Sequence, residues 1–272
     1  GQLQHRGQFG AGLQQLFRQG GELVAAAFGF DGGEVAVEPA VLAGGHPFAY
    51  RRGSFLDGGQ GKLRFGDGDN GLQLGRARLA ARTGIGGDWH ASIDLSAWSL
   101  HDQNLVDVTE AWVEWRPVPH SAWRSNVKIG AFYPDISLEH RAPGWSNPYT
   151  LSSSALNTWV GEELRTIGLQ YGLEHLGIAA GGRFDYGVNG AVFGWNDPAG
   201  VVLAFRGFAM HDRQTPLFGR LRTYAYGNPE KRVLFSEIDN RPGYHVGTYL
   251  KHDTGLELRA LHYDNRGDRE DY

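Results

Sequence analysis

The feature that most constrains this chain is a two-residue period in its hydrophobicity, repeated in short blocks from about Gly61 onward. Between Trp89 and Ser99, the residues Trp89, Ala91, Ile93, Leu95 and Ala97 alternate with His90, Ser92, Asp94 and Ser96. Neighbouring side chains point to opposite faces only in an extended strand, so this block reads as a strand with one apolar and one polar face. Other blocks repeat it. In Leu72 to Arg82, Ala77, Leu79 and Ala81 oppose Arg76, Arg78 and Arg82. In Val106 to Arg116, Ala111, Val113 and Trp115 oppose Glu110, Trp112, Glu114 and Arg116.

Val127, Ile129, Ala131 and Tyr133 then alternate with Lys128 and Phe132, and Ile167, Leu169 and Tyr171 with Thr166, Gly168 and Gln170. Leu176 to Tyr186 reads as a strand with Ile178, Ala180, Phe184 and Tyr186 opposite Arg183 and Asp185. Ala191, Phe193 and Trp195 form an apolar row ahead of the turn at 196–200, and Val201 to His211 sets Val201, Leu203, Phe205 and Ala209 against Arg206. Tyr244 to His252 and Leu256 to Tyr263 are joined by the turn-like KHDTG. Prolines 117, 119 and 134 close their blocks, because proline cannot sit inside a paired strand. The count is about eleven strands, each near the roughly 9–11 residues that cross a bilayer when tilted.

Between two of these blocks lies a long insertion, Asp135 to Gly161, rich in Gly, Pro and Ser. A structureless stretch of that length in a compact domain is functional or disordered. Residues 1–58 read differently: glycines interrupt the weak helical spacing of Leu13, Leu16 and Phe17, and GGEVAVEPAVLAGG alternates only until its proline. The division is an N-terminal extension over 1–58, to which no element is assigned and for which disorder is one reading, and an all-β domain over 59–272.

Composition narrows the class. Lys and Arg number 26 against 30 Asp and Glu, for a net charge of −4, which is not the basic balance of a nucleic-acid binder. No cysteine is present, so disulfides, thiolate metal sites and cysteine nucleophiles are excluded. No run of 18 apolar residues offers a transmembrane helix, while a transmembrane β-barrel carries its signal in alternation and stays open. The 41 glycines suit turns and closely packed strands.

Alternation alone serves a soluble sandwich or barrel as well as a membrane barrel. Three features favour the membrane. Charged residues lie within strands on the polar rows, as a wet lumen requires. Trp89, Trp98, Trp115, Tyr133, Tyr171, Tyr186, Trp195 and Tyr263 cluster near strand ends, where interfacial aromatic girdles sit. Alanine is mixed into the apolar rows, which lipid tolerates without close packing.

The segments LQLGRARLAARTGIGGDWHASIDLS, VTEAWVEWRPVP, VKIGAFYPDISLE and SALNTWVGEELRTIGLQ resemble, in order and spacing, the opening half of a Gram-negative outer-membrane porin, closest in style to the phosphate-selective porin family. The resemblance covers about Leu63 to Tyr171. It implies an antiparallel transmembrane β-barrel of about 16–18 strands, of which this chain is expected to be an incomplete portion lacking its C-terminal strands. It further implies a channel in the bacterial outer membrane for passive diffusion of small hydrophilic solutes, anions such as phosphate among them. Lipid bilayer and lipopolysaccharide would surround it, and a homotrimer is one assembly open to it. No catalytic step, cofactor or nucleic-acid partner is expected. Asp135 stands where the family carries a second proline, which puts the geometry of that loop in doubt.

Candidate pore-lining residues are Arg76, Arg78, Arg82, Asp94, Glu110, Glu114, Lys128, Arg183 and Arg206. Each arginine could instead brace the wall by pairing with Asp94, Glu110 or Glu114. Within the insertion and its C-terminal flank, Glu139, Arg141, Glu162, Glu163 and Arg165 are candidates for a constriction if the loop folds inward. Other chemistry finds little support. Glu110 and Glu114 are four residues apart on one face, about 13 Å at the strand rise, whereas a glycosidase pair needs about 5–9.5 Å. The eleven histidines include no HExxH pair, so no metal site is assigned. The alternative to a channel is a secreted antiparallel β domain binding polysaccharide through surface tryptophans and tyrosines.

Overall fold

The computed structural model describes the backbone of residues 13–18, 21–30, 33–44, 71–98, 106–134, 145, 165–198, 217–225, 228–233 and 235–267, and side chains only within 77–97, 106–134, 145, 165, 167–198, 217–219 and 235–267. Among the described residues every regular element is a strand: β1 (Leu13–Arg18), β2 (Gly21–Phe30), β3 (Gly33–Gly44), β4 (Gly71–Gly86), β5 (Trp89–Trp98), β6 (Val106–Trp115), β7 (Trp123–Phe132), β8 (Thr166–Leu176), β9 (Phe184–Gly194), β10 (Arg220–Ala225), β11 (Asn228–Val233), β12 (Gly243–His252) and β13 (Glu257–Asp264). No helix among them is long and apolar enough to cross a membrane.

Strands β4 to β9, β12 and β13 form one antiparallel sheet in which each strand pairs with the next. β1, β2 and β3 continue the same order on the β4 side, in a region where periodicity alone assigns no element. The sheet is open, with β1 and β13 as its edges, and β10 and β11 form a separate hairpin.

Register carries the alternation of single strands across the whole sheet. One cross-strand row runs Ala91, Val113, Ile129, Leu169, Val192 and Tyr244. The row beside it, on the other face, runs His90, Glu114, Lys128, Gln170, Ala191, His245 and Tyr263. A register shift between Asp94 and Leu95 gives β6 one extra residue, a bulge that turns Thr109 to the polar face. There its hydroxyl donates to Ser96 Oγ at 2.7 Å.

Two segments depart from the expected pattern. Leu176 to Tyr186 is not a continuous strand: residues 177–183 turn the chain from β8 into β9. Arg183 therefore lies in a turn, with its side chain 69% exposed and paired to Asp253 across the next hairpin at 3.5 Å. Ala191 and Phe193 do not belong to the apolar row; both are buried on the polar face, while Val192 between them is exposed. Three consecutive apolar residues carry no alternation, so their faces follow from the register of β9, and on the polar face Phe193 stacks on Tyr263 at 5.1 Å. The strand expected at 201–211 and the insertion 135–161, apart from Trp145, lie outside the described residues.

Connection lengths are unequal at the two ends of the sheet. β4–β5, β6–β7, β8–β9 and β12–β13 are joined by the short segments 87–88, 116–122, 177–183 and 253–256, all at one end, the turn end. The long connections 45–70, 133–165 and 195–242 all fall at the other, the loop end, together with the short connections 19–20 and 99–105.

Glycines on the polar face let neighbouring side chains lie flat against the sheet. A Cβ on Gly187 would stand 2.6 Å from the Tyr249 ring, and one on Gly247 would stand 2.8 Å from Asn189 Oδ1. Tyr249 thus lies over bare backbone, where its hydroxyl donates to Glu174 at 3.3 Å. Gly187→Ala is expected to destabilise the fold by about 1–3 kcal/mol through overpacking, and by clearly less in a Tyr249→Ala background. Equilibrium urea unfolding followed by tryptophan fluorescence measures both; equal losses in the two backgrounds would refute this close packing.

Candidate functional site: a polar face closed at one end

The two faces of the sheet differ in burial, and the polar face is the more covered one. Among the described residues, the buried side chains include thirteen polar or charged ones against eight hydrophobic ones. Acidic and basic side chains are almost never fully buried unless paired, and a soluble sheet buries its apolar face. Here the apolar face is the bare one: Leu79, Trp89, Ile93, Ile129, Leu169, Tyr171, Val188, Val192, Val246 and Leu258 are between 42% and 58% exposed. These residues continue from β4 to β13, far beyond the scattered apolar exposure that monomers tolerate.

The turn end of this apolar face is aromatic. Trp89 and Trp115 are cross-strand partners. Further along, Trp123 meets the His175 ring edge-on at 4.9 Å, and His175 stacks on Tyr186 at 4.8 Å. Phe184 makes an edge contact with His252, also at 4.8 Å. Tyr133 and Tyr263, expected in such a girdle, are placed elsewhere. Tyr133 is buried and stacks on Trp145 at 4.6 Å, and Tyr263 lies on the polar face with its hydroxyl donating to Asn196 Oδ1. The side chain of Trp98 lies outside the described residues.

The polar face is graded from end to end. Toward the loop end, Arg78, Asp94, Ser96, Asp107, Thr109 and Glu110 are buried. Toward the turn end Arg82 and Lys251 are exposed, and the paired Arg124 and Glu174 side chains keep 33% and 28% of their surface. The closed end has its own internal bonding. Arg78 donates through Nε to Asp94 Oδ2 at 2.6 Å and through Nη2 to the same oxygen. The Tyr133 backbone N–H donates to Glu110 Oε1 at 2.9 Å, which ties the start of the long 133–165 connection to the wall.

Arg165 ties down the other end of that connection. Its side chain is fully buried, its Nη2 donates to the Tyr133 hydroxyl, and its guanidinium lies 4.5 Å from the Tyr133 ring centre and 4.6 Å from that of Phe235. Of the five expected constriction residues it is the one described, and it is packed between rings; Glu139, Arg141, Glu162 and Glu163 lie outside the described residues. Leu217 and Phe235 also cover part of the apolar rows at the loop end, packing with Ala131, Val108 and Ile167.

The expected wall residues can be placed one by one. Arg78, Asp94, Glu110, Glu114 and Lys128 share the polar face with Arg82, and Arg76 holds the same face of β4 by register, opposite Trp98. Arg183 is in the turn, and Arg206 lies outside the described residues. Sequence reading did not single out Arg124, Glu174, Tyr249, Arg259 or Glu257, which form the charged turn end of the same face. Arg124 pairs with Glu174 at 2.7 Å, and Arg259 with Glu257 at 2.7 Å. Their signal was present in the alternation of 173–176 and 257–263, but pairing between strands fifty residues apart is set by register.

Asp197, Glu237 and Asp239 bring carboxylate oxygens within 4.8 Å of one another among the described residues at the loop end. Asp197 and Glu237 oxygens accept backbone N–H groups from Ile238 and Trp195 respectively, so this cluster works as a brace for the loop.

No family model, curated protein or solved structure matches the chain. Removing one member of a buried ion pair strands the other, so Asp94→Ala is expected to destabilise by about 3–5 kcal/mol. The double variant Arg78→Met with Asp94→Ala should recover a large part of that loss. A double-mutant cycle on urea midpoints checks it, and fully additive losses would mean that the two side chains are not coupled.

Proposed function

We propose that this chain is the wall of a bacterial outer-membrane β-barrel of the porin kind, a channel through which small hydrophilic solutes diffuse passively. The observation that carries the reading is the reversed sidedness of the sheet: a broad apolar face left bare, and a face of charged and polar side chains turned away from it. Lipid is the surroundings that make such an apolar face favourable, and an aqueous lumen does the same for the polar one. A closed barrel is the form in which strands cross hydrocarbon with every backbone polar group bonded. The reading therefore requires pairing partners for the edges of β1 and β13.

Supporting features are independent of sidedness. β5, β6, β7 and β12 have ten residues each and β8 and β9 eleven, which fits the roughly 9–11 needed to span a bilayer. Connections at the turn end are all short and the long ones all lie at the other end, which matches the periplasmic and extracellular ends of such barrels. The aromatic band formed by Trp89, Trp115, Trp123 and Tyr186 would then lie at the periplasmic interface.

Selectivity in such a channel comes from width and fixed charge, with no catalytic step. Three of the wall arginines on the described face are paired with carboxylates: Arg78 with Asp94, Arg124 with Glu174, Arg259 with Glu257. A continuous cationic ladder through Arg76, Arg78 and Arg82 is therefore not the basis of any anion preference we assign.

The full chain, refolded in detergent and added to a planar lipid bilayer, is expected to give discrete, voltage-tolerant conductance steps. Monomers that stay soluble without detergent and give no steps would overturn the channel. If such monomers were also retained on a polysaccharide column, the exposed tryptophans would be a glycan-binding surface instead.

A further inference from the structure

On the polar face, Arg82, Lys128 and Lys251 form no ion pair among the described residues, and two of them, Lys128 and Arg82, meet at one aromatic ring. Lys128 stands directly opposite Glu114 in the β6–β7 register, a position where opposite charges normally join. They do not. Lys128 makes no direct ion pair among the described residues, although the Glu110 carboxylate lies near enough to feel its charge, and Glu114 Oε1 instead accepts a hydrogen bond from Asn126 Nδ2 at 2.8 Å. The Lys128 ammonium leans the other way, 4.7 Å from the centre of the Trp112 ring and 5.3 Å from that of Phe132. The Arg82 guanidinium approaches the same indole, at 5.7 Å.

Local sequence makes room for this arrangement. Trp112 is flanked in its cross-strand row by Ser92 on β5 and Gly130 on β7. Gly130 has φ +134°, and a Cβ there would stand 2.3 Å from the Ala111 carbonyl oxygen, so this position takes no larger residue. The indole therefore has small neighbours on both sides; Lys128 reaches it from the diagonal position on β7, and Arg82 from the same row, across Ser92.

The electrostatic consequence depends on what holds each cation. A carboxylate partner cancels the charge of an arginine or lysine beyond a few ångströms. An aromatic ring attracts a cation through its quadrupole and carries no net charge, so the cation is held in place with its monopole field intact. We infer that Trp112 is a positioning residue that holds Lys128 away from Glu114 and gathers Arg82 beside it, making this the point of the lumen that attracts small anions. The inference rests on the channel reading and assigns its selectivity to one place on the wall.

Reversal potentials of the full chain in a planar bilayer under a potassium chloride gradient test it, with chloride as the probe. The wild type is expected to prefer chloride, and Lys128→Gln to lower the chloride-to-potassium permeability ratio by about twofold or more. Trp112→Leu should lower it comparably although no charge is removed, because Lys128 then falls onto Glu114. Trp112→Tyr, which keeps an aromatic face, should hold the wild-type ratio. Adding Glu114→Gln to Trp112→Leu should raise it by more than Glu114→Gln raises it in the wild type, an excess that a merely structural role for Trp112 would not produce. Each variant is first shown to keep the wild-type far-ultraviolet circular dichroism spectrum in detergent, so that the wall is known to be intact. An unchanged ratio in Trp112→Leu alongside a lowered one in Lys128→Gln would overturn the positioning role and leave the channel standing. Absence of any conductance in the wild type would overturn the channel itself.

Discussion

Everything described here depends on the backbone ladder that joins β4 to β13. Hydrogen bonding between antiparallel strands places each residue opposite one partner, and the pleat sends neighbours to opposite faces. Once register is set across eight strands, a polar–apolar alternation that is local in sequence becomes a segregation of polarity across the sheet. A slip of one residue in any pair would exchange the two faces for that strand. The bulge at Thr109 shows how closely the segregation is kept. The extra residue is taken up at one point, and the apolar and polar rows stay aligned on both sides of it.

The polar face resolves its charges in three ways. Near the loop end, burial demands pairing, and Arg78 with Asp94 supplies it. Near the turn end, Arg124, Glu174 and Tyr249 form a half-exposed network in which solvent shares the work. Between them Lys128 and Arg82 rest on Trp112. Glycine makes two of these arrangements sterically feasible, at Gly187 beneath Tyr249 and at Gly130 beside Trp112. The wall's electrostatics thus follow as much from where side chains are missing as from where charges are placed.

Much of the fold was legible in the sequence. Alternation located β4 to β8, β12 and β13, prolines marked where β6 and β7 stop, and KHDTG marked the last hairpin. The assignment of Ala111, Val113 and Trp115 to one face and Glu110, Trp112 and Glu114 to the other agrees with the register. The misplacements have physical causes. Arg183 was placed in a strand because apolar residues flank it on both sides, yet 177–183 bends on its glycines, Gly181 with φ +86°. Ala191 and Phe193 lie in a run too uniformly apolar to show a period. Tyr133 sits at a strand end, as a girdle residue would, but stacking with Trp145 and the Arg165 guanidinium draws it into the covered end.

The sequence by itself determined that the chain forms strands with one apolar and one polar face, because a period of two admits no other regular structure. It determined the long interruption between Phe132 and Thr166 as well. Only the tertiary structure decided which face is left bare, which of the arginines and lysines are neutralised, and that Arg165 is packed between rings. Those outcomes depend on the reach of one side chain toward another across strands tens of residues apart. Alternation specifies on which face a charge lies; the neighbours it meets there are chosen by register, by bulges and by the glycines that let side chains lie down.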